Sequence, residues 1–259
     1  MKSFRLIFIF LLFSFVSQAQ KTVQTQSHFW WSINTTAQVS NKWSIIADAH
    51  IRRTNFMANN SFYFLRAGAL YNVNKNFSVA GGYGHMWLAN KSGATELFTN
   101  EHRIYQQFQL TGAVGKVSTI NRLRVEERWI QKIVSGQLTN SFRFTTRFRY
   151  LYSINIPVSK NKYVPSINLA DELLMQIGKD IIYNPFDQNR LFTGIKQQVT
   201  PSLSFDFGYM LVYQQKLSGS QYVKANTLRW YFYWKPDLRK KKKTHTAATQ
   251  LSQNSFDDI

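Results

Sequence analysis

The stretch SLSFDFGYMLVYQQ, residues 202–215, alternates with a period of two. Leu203, Phe205, Phe207, Tyr209, Leu211 and Tyr213 fall on one face, and Ser204, Asp206, Gly208 and Gln214 on the other. A helix would scatter those apolar residues around its circumference. A strand sends successive side chains to opposite faces, so this is a β-strand with one apolar and one polar side. Residues 140–152, NSFRFTTRFRYLY, repeat the pattern with more charge. Phe142, Phe144, Phe148, Tyr150 and Tyr152 share a face with Thr146, and Arg143, Thr145, Arg147 and Arg149 share the opposite one. Three arginines in a stripe facing away from the aromatics cannot sit in an ordinary sandwich core: a soluble sheet would turn them to water and a membrane barrel to its lumen, and alternation alone does not distinguish the two.

The same alternation, more weakly, predicts strands near Phe29–Gln38, Trp43–Asn55, Ser61–Val73, Phe77–Leu88, Glu96–Leu110, Val117–Ile130, Val164–Ile177, Asn189–Val199 and Val223–Trp234. Turn residues separate them, among them Asn74-Lys75-Asn76, Gly112–Gly115, Ser135-Gly136 and Thr200-Pro201-Ser202. Repeated segments of this kind are the signature of a membrane β-barrel, with apolar residues facing lipid and polar residues facing the lumen. Connections are expected to be short after Gln38, Val73, Leu110 and Val199 and longer after Leu88, Ile130, Ile177 and Gln215. Eleven runs are visible. Bacterial single-chain barrels have even strand numbers, so the expectation is an all-β, antiparallel, up-and-down transmembrane barrel of about 12 strands, with ten as the runner-up. A missed strand would lie around Lys21–Gln26.

Composition agrees with strands. Aromatics make up 16% of the 259 residues, prolines number only 5, and mean hydropathy is −0.31, too low for a helical membrane protein. There is no cysteine, which excludes disulfides, thiolate metal sites and a lipid-acylated N-terminal Cys. Lys2 and Arg5 precede an apolar run from Leu6 to Val16, and Ser17-Gln18-Ala19 supplies small residues where a signal peptidase reads. That is an export signal over residues 1–19, its apolar core too short to span a bilayer. The barrel domain then covers 20–235 and a basic, disordered tail 236–259. Export argues against nucleic acid as the partner of a chain of net charge +19.

The charges on the polar faces form stripes on consecutive strands: Glu101 and Arg103; Arg122, Arg124, Glu126 and Arg128; Arg143, Arg147 and Arg149; then Glu172, Arg190 and Asp206. Neighbouring stripes are expected to pair as an arginine–carboxylate lattice inside the lumen. Glu127 falls on the lipid side of its run, which requires a position at the rim. Tyr63 and Tyr71 bracket the milder Leu65-Ala67-Ala69 stretch at a separation of roughly 20 Å, near the height of an apolar band between aromatic girdles. Trp87, Trp129, Trp230 and Trp234 lie near run ends, where interfacial aromatics belong.

Trp30-Trp31, Glu101–Arg103, Arg122–Arg128, Arg143–Arg149, Asp171-Glu172, Phe186–Arg190 and Gly208-Tyr209, in that order behind a signal peptide, resemble the bacterial domain-of-unknown-function family 2490. The likeness runs to about Trp234. It implies an outer-membrane β-barrel and no particular activity.

The five histidines, His28, His50, His85, His102 and His245, lack metal-ligand spacing, and no Ser, His and Asn are joined by a hydrolase signature. Gly81, Gly82 and Gly84 precede no helix, so they read as close packing or curvature in a strand rather than a phosphate loop. No catalytic, cofactor or metal residue is assigned. Arg239, Lys240, Lys241, Lys242 and Lys243 form a solvated run that could contact anionic lipid or cell-wall polymer. The expected partners are outer-membrane lipid, lipopolysaccharide and the barrel-assembly machinery. The expected role is non-enzymatic: a narrow passive channel, anion-preferring if it conducts, or a structural and interaction protein. The alternatives are an outer-membrane enzyme acting on lipid or lipopolysaccharide, and a soluble periplasmic ligand-binding barrel.

Overall fold

A computed structural model describes residues 21–92 and 95–239. The export signal and Lys240–Lys243 lie outside these residues, as does His245. Among the described residues are eleven strands: β1 (Thr22–Gln38), β2 (Trp43–Thr54), β3 (Asn59–Asn72), β4 (Phe77–Ser92), β5 (Thr95–Val114), β6 (Val117–Val134), β7 (Gln137–Pro157), β8 (Ser166–Ile177), β9 (Phe186–Gln198), β10 (Leu203–Gln215) and β11 (Gln221–Trp234). Each pairs antiparallel with the next, and β1 pairs with β11 to close a barrel. Each of the eleven runs read from the sequence is one strand of the wall.

The expected twelve strands are therefore eleven. Residues 22–26, the candidate for a missing strand, are the start of β1, which pairs with β11 from Thr22–Gln221 onward. The parity has a geometric consequence. In a meander of odd strand number the first and last strands run the same way, so the closing pair is parallel, from Thr22–Gln221 to Thr35–Trp234. The segment before β1 and the segment after β11 consequently leave from opposite ends of the barrel. The second departs with Pro236–Leu238 still bonded to β1: Gln38 N donates to the Pro236 carbonyl at 2.9 Å and Leu238 N to that of Gln38 at 2.8 Å. The residues directly after β11 are thus tied to the wall, and the rest of the expected tail lies outside the described residues.

The expected connection lengths hold except after Leu88 and Ile130, where the long loops are corrected. β4 continues to Ser92 and is paired there with Thr95, and β6 and β7 join through the two residues Ser135 and Gly136, both with positive φ. That is the conformation of a tight hairpin turn. What reads as loop after Leu88 and Ile130 is strand whose polar residues lie beyond the alternating apolar zone. The longest connections, 158–165 and 178–185, lie at opposite ends.

Two glycine pairs shape the wall. Gly68 lies opposite Gly82 across β3–β4, and Gly194 opposite Gly208 across β9–β10. A Cβ on Gly82 would come within 2.6 Å of Gly68 Cα, and one on Gly208 within 2.5 Å of Gly194 Cα. Such backbone approach is open only to glycine. Four strands separate the two creases on one side of the barrel and three on the other, so they sit nearly diametrically opposed.

Candidate functional site

Burial alternates most clearly on β5, β6 and β7, where the charged face is the buried one. On β5, Glu101, Arg103, Tyr105 and Gln107 are enclosed while Ile104 and Phe108 are exposed; on β7, Thr145 and Arg147 are enclosed while Phe144 and Phe148 are exposed. The outer surface is apolar: Trp43, Leu65, Leu123, Tyr150, Leu191 and Tyr209 all lie open. It carries aromatic contacts at two levels. Trp43 and Tyr71 pair at 4.9 Å toward the end where β11 finishes, and Trp230, Phe232 and Phe205 cluster on the same side. Tyr63–Phe98, Trp129–Phe144 and Phe29–Phe56 lie toward the other end. No helix of the described residues is long and apolar enough to cross a membrane, which leaves strands untouched as a means of crossing.

Inside, the arginines and carboxylates do pair, though not simply face to face. Arg103 lies directly opposite Arg128, and Arg124 opposite Arg149. Like charges across a ladder repel, and in each case a carboxylate two residues along joins them. Glu101 Oε1 accepts from Arg103 Nε and Arg128 Nε, both at 2.6 Å. Glu126 Oε1 accepts from Arg149 Nη1 at 2.7 Å and lies 3.7 Å from Arg124. Glu172 then gathers Arg122 at 2.8 Å, Arg149 at 2.7 Å and Arg190 at 3.1 Å. Arg149 thereby links Glu126 to Glu172, and one connected network reaches from Gln107 on β5, which accepts from Arg124, to Gln188 on β9, which accepts from Arg190.

Of the lattice residues expected from sequence, Asp206 stands apart, paired with Arg229 at 2.6 Å and Tyr233 at 2.7 Å. Arg143 makes no ion pair among the described residues. Four members escaped the sequence reading. Asp187 pairs with Arg147 at 2.8 Å but precedes the expected start of its strand at Asn189. Asp48 pairs with Arg66, a contact the alternation Ile45, Ala47, Ala49 against Asp48 could have revealed. Arg229 was hidden because aromatics occupy both faces of β11.

The rest of the lumen is aromatic and apolar. Trp30, Phe192, Met210, Val212 and Ala225 form a cluster. The Arg52 guanidinium stacks 3.4 Å from the Trp30 ring, with Phe62 on another side at 4.6 Å. Tyr105 sits between Arg66 at 5.0 Å and Arg124 at 5.3 Å. Glu101, Thr145, Thr227 and Ser32 are wholly shielded from water, so side chains fill the waist of the barrel. A polar recess of about 640 Å³ opens at the end where β1 begins, lined by Gln26, Asn59, Asn60, Glu96 and Asn226 among others.

Of the described histidines only His85 and His102 come together, their ring centroids 4.7 Å apart across β4–β5. His28 bonds Gln26, while His50 lies against Phe64 and Tyr231. On the outer face, His85 and His102 share the Tyr83 hydroxyl, and His85 also bonds Asn100. Among the described residues no group of three His, Cys, Asp or Glu could hold a metal ion. Glu127 does point outward, where it accepts from Gln106 at 3.3 Å, but it is not at the rim that the sequence required: it lies four residues before Gln131, at the bulge of β6, and seven before the strand's end at Val134. Gly82 and Gly84 are the close-packed glycines foreseen; a Cβ on Gly84 would meet the Phe64 ring at 2.7 Å, whereas Gly81 has room.

Residues 27–223 match the family model described as "Protein of unknown function (DUF2490)". No curated protein and no solved structure matches the chain.

Proposed function

We propose, for a chain that belongs to the family of proteins of unknown function DUF2490, a role as a non-enzymatic outer-membrane β-barrel acting as a structural or interaction protein. The observation that carries this reading is the inversion of the usual soluble pattern: ion pairs within, exposed Leu, Phe, Tyr and Trp without. In water that outer surface would far exceed the apolar patches soluble monomers tolerate. In lipid it is the ordinary outer face of a barrel, and closure leaves no unpaired strand edge. The same inversion disfavours the soluble ligand-binding alternative, whose apolar face would be enclosed and whose charged face would point to water. The export signal read at residues 1–19 supports the outer membrane as the destination.

A filled waist favours structure over passage. The second reading, a narrow anion passage, is favoured by one feature: among the described residues inward arginines outnumber inward carboxylates, and Arg52 and Arg143 have no carboxylate partner there. Such a lining would select anions. Purified protein inserted into planar bilayers separates the two. The proposal expects membrane-inserted barrels with no steady conductance at any voltage; a steady, anion-selective conductance would move the assignment to a channel.

A further inference from the structure

The two ends of the barrel differ in charge. At the end where β11 finishes, the connections β1–β2, β3–β4 and β5–β6 carry Lys42, Lys75 and Lys116, one each; β7–β8 carries Lys160 and Lys162, and Lys235 follows β11. The carboxylate described there, Asp237, is engaged by Arg239 at 2.6 Å. The other end is mixed, with Glu96 and Asp180 among its lysines. The basic ring lies immediately beyond an aromatic girdle. Lys42 Nζ stands 5.7 Å from the Tyr71 ring, which pairs with Trp43, and Lys162 Nζ stands 5.2 Å from the Tyr163 ring.

From this we infer that the ring of turn lysines binds the anionic phospholipid headgroups of the leaflet at that end. The inference rests on the membrane reading above. Tyr and Trp settle at headgroup level, so lysines one step outward meet the phosphates. Successive turns on this rim are two strands, about 10 Å, apart. The β1–β2, β3–β4 and β5–β6 turns contribute one ammonium each, β7–β8 two and β9–β10 none, and each is a point charge on a flexible stem rather than a planar fork. Single charges spaced round a rim suit separate monoanionic lipids more than a fixed, doubly phosphorylated sugar such as lipid A.

The test places full-length protein and the variant Lys42→Gln/Lys75→Gln/Lys116→Gln/Lys160→Gln in nanodiscs of mixed phosphatidylcholine and phosphatidylglycerol, with lipid A as a minor third component. Retention of the folded form on an unheated gel is checked first. Native mass spectrometry then counts retained lipids. The wild type should enrich phosphatidylglycerol about fivefold, the equilibrium advantage of one basic residue near an anionic surface. The enrichment should vanish in the variant and in 1 M salt. Equal retention of both lipids by a folded, inserted barrel overturns the inference alone. Enrichment of lipid A without phosphatidylglycerol overturns the chosen lipid. Failure to enter nanodiscs at all overturns the membrane reading and this inference with it.

Discussion

Glu101 bridges two arginines that the ladder places face to face, and it does so without access to water. Removing its charge leaves Arg103 and Arg128 opposed in a dry interior. Glu101→Gln preserves volume and one acceptor but not the charge, so it should cost on the order of 3 kcal/mol. Urea unfolding in detergent micelles measures this; a loss below about 1 kcal/mol would mean that the lumen is wet. At this scale the sequence was legible where charge alternated with aromatics, as in Arg143–Arg149. It was opaque where both faces looked alike, as around Arg229 between Leu228 and Trp230. Partners were harder still. Period two assigns a side chain to a face, but only register shows that Arg124 opposes Arg149 and so shares Glu126 with it.

The strands owe their legibility to the same alternation, and their ends were missed because alternation stops where the apolar zone stops. β7 runs from Gln137 to Pro157, though its pattern is plain only over 140–152. The glycine creases are the elements most exposed to substitution. Gly208→Ala would drive a Cβ into the Gly194 backbone, costing on the order of 1–3 kcal/mol. Gly81→Ala, whose nearest neighbour would be the Tyr105 carbonyl oxygen at 3.5 Å, should change stability by about 0.5 kcal/mol or less. The midpoint of thermal conversion from folded to unfolded gel mobility reads both. Equal shifts in the two variants would deny that the creases are sterically required.

For the molecule as a whole, strand parity was the feature that sequence reasoning got wrong. Eleven runs were visible, and a rule about even numbers argued for one more. The chain instead closes on a parallel seam, whose slanted bonds are slightly weaker than antiparallel ones. That seam is long and is extended past Thr35–Trp234 by the contacts of Pro236–Leu238 with Gln38. The central claim is that the exposed apolar face meets lipid. Because the chain has no cysteine, single cysteines can carry spin labels without background. Labels at Leu65, Leu123 and Leu191, all open on the outer face, would be read in native outer-membrane preparations for collision with oxygen and with a water-soluble nickel chelate. The account predicts high oxygen and low nickel accessibility at all three positions; high nickel accessibility there would contradict it.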